Sequence, residues 1–436
     1  MRAEELLEAA GGRAEAIEVH DVIYETAGVK LTDGMTKKVD RKQENAYSVR
    51  VIKDGRVGFS AAAGAEPPKD LVERALESAR FGSEARFEFP GRGEPESRPS
   101  TYDAAVESLT FEAARRTGEK VCALLKEKYP DALVEAGAHW IWGEETLVNS
   151  SGAVCRQRFS NYSVSAMVQR VRGEEITIVF CGKNALAPQD ALADRVVEVI
   201  LERLDAAQRV ATIESGPKKV LFDPSYGVFA ILMPLFAGLN GENVARGTSP
   251  LCGKVGEPLL SELLTIVDDP TMEGAAQSRW WDAEGLPAKR NVLVDRGTLR
   301  SFVFDLENAA RAGMEPTASA RRGFLSRPKP GFSNFVVETG ETPLEEMISS
   351  VDEGLYVINP LSAWGANPLS GRFSTPLGLA LKIEKGEIVG RVRQVSIAGN
   401  VYEDLKRVLA VSREAEWFGG RLVPHILVDG VSVTAK

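Results

Sequence analysis

Apolar residues recur at helical spacing in three stretches of the first half of the chain. Between residues 69 and 81, Leu71, Val72, Ala75, Leu76 and Ala79 share one face directly after the breaker pair Pro67-Pro68, which predicts an amphipathic helix. The spacing predicts a second helix over 111–129 and a third over 188–207, where Leu192, Val196, Val197, Ile200 and Leu204 form one stripe. Elsewhere the period drops to two. Residues 48–53 and 56–59 flank Asp54-Gly55, a pair that supplies the positive φ angles of a two-residue hairpin turn. Similar turn signals stand at Ser151-Gly152, Arg296-Gly297 and Lys385-Gly386, and residues 147–171 alternate like half-buried antiparallel strands.

The first half is therefore expected to be an α+β domain with antiparallel strands. A polar Gly-Pro stretch over 214–219 ends the third helix and precedes an extended run, which places a domain boundary between residues 215 and 216. Two domains, 1–215 and 216–436, suit a chain of 436 residues, too long for one ordinary core. Past the boundary, helical spacing is confined to 226–239 and 344–351 while Gly-punctuated strands are frequent. The second domain is expected to be mainly antiparallel β, barrel-like or a sandwich.

Composition narrows the function classes. With 44% hydrophobic and 26% charged residues and no long apolar run, the chain reads as globular and not membrane-spanning. Its start carries Glu4, Glu5 and Glu8 where a signal peptide would place basic residues, so a cytoplasmic location is expected. The four cysteines, Cys122, Cys155, Cys181 and Cys252, lie far apart and read as free, packed thiols. A net charge of −9 opposes nucleic-acid binding, and the small basic cluster Lys37, Lys38, Arg41 and Lys42, broken by Asp40, reads as a solvated face.

The familiar catalytic signatures fail on spacing. The three histidines, His20, His139 and His425, are too scattered for a helical two-histidine zinc motif, and both His139 and His425 read as packed or hydrogen-bonded imidazoles. The chain contains no G-x-S-x-G, and Cys252 has no neighbour that would activate its thiol. The segment 247–254 resembles a P-loop, but five residues separate its glycines and Val255 replaces the hydroxyl that would bind magnesium. Glu144-Glu145 and Asp268-Asp269 are adjacent carboxylates that a strand would point to opposite faces. Turn formation before Pro270 is the expected role of the second pair.

An ordered series of segments resembles the TldD/PmbA family, often labelled modulators of DNA gyrase. The series is VLFDP (220–224), GLNGEN (238–243), RGTS (246–249), GKVGE (253–257), VDDPT (267–271), DAEG (282–285), NPLSG (367–371) and IAGN (397–400). VIKDG (51–55) and NSSG (149–152) agree more loosely in the first half. Catalytic TldD-type members carry His-Glu-x-x-x-His just before the Gly-Leu segment, with a later cysteine completing the zinc set. The resemblance puts Leu232 and Ala237 at the two imidazole positions and Met233 at the general base, and no cysteine follows Cys252. It thus implies a PmbA-type (TldE-type) member with no metal ligand or catalytic residue of its own. Zinc is then expected only in a TldD-type partner subunit, and the complex is expected to degrade unfolded peptides. Asn240, Glu242, Asn243 and Arg246 are the candidates for peptide or partner contact, against the alternative of a hydrogen-bonded turn beneath the helix. A peptide-binding scaffold, forming a homodimer and doing no chemistry, is the competing expectation, with an unrecognised Cys252 or serine hydrolase behind it.

Overall fold

A computed structural model describes residues 3–64, 67–173, 175–361 and 368–435. After the short helix α1 (Ala3–Ala9) come strands β1 (Ala16–Thr32), β2 (Met35–Lys53) and β3 (Arg56–Ala63), then helices α2 (Pro68–Ala79) and α3 (Phe111–Lys128). Strands β4 (Leu133–Asn149), β5 (Val154–Arg172) and β6 (Glu175–Ala185) follow, and helix α4 (Asp190–Ala206) ends the series. The six strands form one antiparallel sheet in the order β3-β2-β1-β4-β5-β6.

The predicted turn pairs Lys53 with Arg56, and Asp54 and Gly55 take φ values of 49° and 67°. The amphipathic stripes explain where the helices sit. Leu71, Val72, Ala75 and Leu76 of α2 pack with Leu6 of α1 on Val19, Val49 and Val51. Val121 and Leu125 of α3, with Val196 and Ile200 of α4, cover a second patch built from Val29, Leu31, Val134, Ala136 and Trp140. Strand β3 pairs residues 46–53 of β2 and the Gly64 N–H donates to the Asn45 carbonyl, so residues 35–44 keep one edge unpaired among the described residues. There Met35 and Val39 are exposed beside Lys37, Lys38, Arg41 and Lys42. Lys38 pairs with Asp40, Lys42 with Glu44, and Arg41 reaches Glu25.

Apart from Ala320–Arg321 and Lys329–Pro330, which pair in a separate two-stranded sheet, the remaining strands make one twelve-stranded, mostly antiparallel sheet. Its spine runs Asn291–Asp295, Ile266–Asp268, Phe335–Val337, Arg421–Ala435, Gly216–Phe222, Glu353–Pro360, Arg372–Glu384, Glu387–Val392. Parallel pairings occur where residues 335–336 meet 421–422 and where 354–357 meet 219–222. This mixed α+β architecture, with a barrel-like second sheet, is the fold class expected from the sequence. A core of Phe222, Phe302, Phe304, Phe335, Val357 and their neighbours encloses helix α5 (Phe229–Leu239). The helix Leu306–Ala312 was not foreseen, although Asp305 caps its start and Gly313 ends it in the left-handed conformation. No helix among the described residues is long and apolar enough to cross a membrane.

Ion pairs fasten the second sheet to the first. Glu416 on strand Val408–Phe418 accepts from Lys183 of β6 at 2.7 Å and from Arg195 of α4 at 2.6 Å. Arg391 donates to Thr177 and to Glu175 of β6. Arg203 of α4 donates to Asp223 at 2.8 Å, and Asp223 also receives the Tyr356 hydroxyl.

Candidate functional site

The window of interest lies within α5. Its sequence is apolar on every side; most of its circumference is buried, and one face, Phe229, Met233, Phe236 and Ala237, is only half-buried. Leu232 and Leu235 are fully buried, whereas Met233 and Ala237 are half-buried. A thioether, an isobutyl and a methyl group offer no lone pair suited to a divalent ion and no base for its water. No group of three or more His, Cys, Asp or Glu side chains close enough to hold a metal occurs among the described residues. The donor set here does not fit zinc.

Just past α5, the candidate contact residues form a tightly bonded turn. Asn240 caps the short helix α6 (Gly241–Ala245), its Oδ1 accepting from the Glu242 N–H at 2.9 Å while its Nδ2 donates to the Pro330 carbonyl. Asn243 Nδ2 donates to the Ala237 carbonyl at 2.8 Å, and the Ser249 hydroxyl donates to the Gly238 carbonyl at 2.6 Å, so two freed carbonyls at the end of α5 are satisfied. Glu242 and Arg246 pair four residues apart on the outer side, Arg246 being largely exposed. Gly238 is required by a close approach, since a Cβ there would lie 2.1 Å from the Tyr402 hydroxyl oxygen. Of the segment 367–371, Asn367 lies outside the described residues.

The other sequence candidates serve packing or hydrogen bonding. His139 Nε2 meets Thr26 Oγ1 at 2.8 Å, and His425 Nε2 meets the Tyr356 hydroxyl at 3.0 Å. Burial lowers the pKa of both imidazoles, which favours their neutral forms. Cys122, Cys155 and Cys181 are buried free thiols; Cys252 is half-buried, with Sγ 3.7 Å from the Val244 carbonyl. Asp269 accepts from the Thr271 N–H and hydroxyl in the turn expected before Pro270. Its neighbour Asp268 is instead fully buried and accepts from Ser333.

The most charged interior of the molecule went unseen in the sequence. Where the first sheet meets the loops of the second, Arg50 of β2 donates to Glu18 at 2.8 Å and to Glu284 at 2.5 Å, and Arg322 donates to the other Glu18 oxygen at 2.6 Å. These side chains are at most 4% exposed. Burial opposes the charge on Glu18, yet Arg50 and Arg322 outweigh it and hold the carboxyl below its usual range. Burial wins at Glu284, whose carboxyl is raised despite Arg50. The DAEG segment acquires a physical role here. Asp282 accepts from the N–H groups of Glu284, Leu286 and Ala320, a turn that carries Glu284 to Arg50.

Beside this cluster opens a cavity of about 370 Å³. His20, Glu145 and Phe159 line it from the first sheet; Arg279, Arg321 and Phe324 line it from the second half. His20 Nε2 lies 3.4 Å from Glu145 Oε2, and burial keeps this imidazole neutral-leaning. Burial and repulsion from Arg279 push Arg321 down to about 10.

Comparison with known proteins places these features in a family. Residues 215–435 match the model of the PmbA/TldA metallopeptidase C-terminal domain, and residues 22–79 match that of PmbA/TldA metallopeptidase domain 1. A metalloprotease TldD homolog of Buchnera aphidicola subsp. Schizaphis graminum is 33% identical over 409 residues, covering 88% of this chain and 82% of that protein. A metalloprotease of Methanothermobacter thermautotrophicus is 27% identical across 92% of this chain and 89% of its own length. The crystal structure of TldE from Thermococcus kodakarensis superposes with a TM-score of 0.91 at 25% identity, covering 99% of both chains. On these matches, the chain belongs to the PmbA/TldD family of metallopeptidases.

Proposed function

We propose that this chain is the non-catalytic subunit of a TldD/TldE-type zinc peptidase complex that processes unfolded peptides. The observation that carries the reading is the apolar character of α5; by the resemblance of the surrounding segments, Leu232, Met233 and Ala237 stand where catalytic members place two metal-binding imidazoles and the general base. Zinc and the activated water then belong to a TldD-type partner. This chain supplies part of the wall along which an extended peptide is held, a task that main-chain hydrogen bonds can perform without reactive side chains. In this proposal the two domains are 1–215 and 216–436. Within the second, the α6 turn faces the partner or peptide: Asn240 and Asn243 hold its shape, and Glu242 and Arg246 make the contact. The likeness to the T. kodakarensis TldE supports the assignment of type.

The test is metal analysis and digestion of a denatured protein by the purified chain, with and without a co-expressed TldD-type protein. The expected result is no zinc and no cleavage alone, and cleavage only with the partner. One equivalent of zinc together with hydrolysis by the isolated chain would overturn the proposal. A stable homodimer that fails to join any metal-bearing partner would favour a scaffolding role instead.

A further inference from the structure

The cavity between the two halves has the chemistry of a binding site. Arg279 is only 6% exposed, yet its Nε and Nη2 have no hydrogen-bond partner among the described residues; only Nη1 is used, donating to the Ala320 carbonyl at 3.1 Å. Arg321 lines the same cavity, with Gln277 Oε1 as its described hydrogen-bond acceptor. Neither guanidinium forms an ion pair with a carboxylate among the described residues. Two neighbouring cations that repel one another, with Asp268, Asp282 and Glu145 near but no carboxylate hydrogen-bonded to either among the described residues, are stabilised further when an anion joins them.

The nearby acids do not fill that role. Asp282 is engaged by three backbone N–H groups; Asp268 accepts from Ser333 through Oδ1, and its buried Oδ2, with no hydrogen-bond partner among the described residues, attracts Arg279 and Arg321 without bonding to either. Burial raises both carboxyls, which weakens their compensation of the guanidiniums. Glu145 faces the cavity with His20 as its described hydrogen-bond partner, at 3.4 Å, and therefore retains capacity for a cation. Ile141, Leu147, Phe159 and Phe324 provide apolar wall. The volume of about 370 Å³ falls within the ~300–1,000 Å³ common for ligand pockets.

We infer that this cavity binds a small zwitterion, the size of a dipeptide, whose carboxylate docks on Arg279 and Arg321 and whose ammonium meets Glu145. Guanidinium groups suit a carboxylate because their forked N–H bonds match its two oxygens. The apolar wall receives the side chain between the two charged ends. The site stands apart from α5 and does not depend on the subunit reading, so it can fail or hold independently of it.

The experiment is calorimetric titration of the full chain with glycyl-phenylalanine, with glycyl-phenylalanine amide, and with inorganic phosphate. Saturable binding of the free dipeptide at one site is expected, with the amide weakened about tenfold or more through loss of the charged bonds. Arg321→Gln should weaken the dipeptide by a similar factor while leaving amide binding unchanged. This variant spares the more buried Arg279, and an unchanged far-UV spectrum establishes that it folds. Glu145→Gln should weaken the dipeptide more than N-acetyl-phenylalanine, which lacks the ammonium. Equal binding of dipeptide and amide, indifference to Arg321→Gln in a folded protein, or absence of dipeptide binding at millimolar concentration would each overturn the inference. Phosphate binding tighter than the dipeptide would overturn the choice of a carboxylate.

Discussion

Glu416 is the most informative residue at which to test how the two sheets are joined. Burial disfavours its charge, but Lys183 and Arg195 more than offset this, and the carboxyl sits at about 2 against an ordinary 4.5. At about 1.4 kcal/mol for each pKa step, the two ion pairs contribute about 3 kcal/mol, a ceiling because 26% of the side chain meets solvent. A group with a depressed folded-state pKa stabilises fully above its unfolded value and loses that contribution as pH falls towards the folded one. Replacing Glu416 with Gln should therefore lower the urea-unfolding free energy by about 2–3 kcal/mol at pH 7. The deficit should shrink to about 1 kcal/mol at pH 3, where the unfolded carboxyl is already protonated and most of the wild-type linkage is lost. Hydrogen exchange should quicken in Glu175–Ala185 and Val408–Phe418, the strands that the pairs connect. A Glu416→Gln protein as stable as wild type at pH 7, or a deficit unchanged at pH 3, would refute the reasoning.

Other perturbations test separate parts of the structure. Arg50→Met leaves Glu18 with Arg322 alone and Glu284 with no cationic partner among the described residues, and should cost about 3 kcal/mol in chemical denaturation; a loss below about 1 kcal/mol would mean that the cluster is wetter than its burial indicates. Gly238→Ala should cost about 1–3 kcal/mol through its clash with the Tyr402 hydroxyl. Tyr402→Phe in the same chain should recover part of that loss, and a strictly additive double-mutant cycle would exclude the contact as the cause. Iodoacetamide should label Cys252 first in the native protein. Cys155, raised to about 12 by burial, should react only on unfolding, and mass spectrometry of the labelled peptides decides the order.

Local signals in the sequence were legible wherever the physics is local. The stripe of α2 and the Asp54-Gly55 turn depend on residues a few positions apart, and both elements formed as expected. The outer part of β2 is not legible because residues 36–44 are polar except for Val39, leaving no alternation to detect; β1, in contrast, does alternate at Ala27, Val29 and Leu31. Asp33-Gly34, with φ values of 49° and 78°, was the available turn signal there. The charged interior was illegible for a different reason: Arg50 and Glu284 are 234 positions apart, and Arg322 and Glu18 are 304 apart. No spacing rule reaches across such distances. The α5 window became informative only through the ordered segments around it, since an apolar helix by itself says nothing about ligands it lacks.

The unpaired margin of β2 over residues 35–44 bears on behaviour at high concentration. A bare strand margin with two protruding apolar side chains can template stacking of one molecule on another, the first step towards a fibrillar precipitate. Lys37, and the ion pairs of Lys38, Arg41 and Lys42 with Asp40, Glu25 and Glu44, counter this by lining the margin with charged groups that an approaching copy would have to strip of water. Concentrated salt weakens the ion pairs along that margin. Replacing these three lysines and the arginine with neutral residues should turn a dispersed protein into one that clouds on standing, with its fold intact until then.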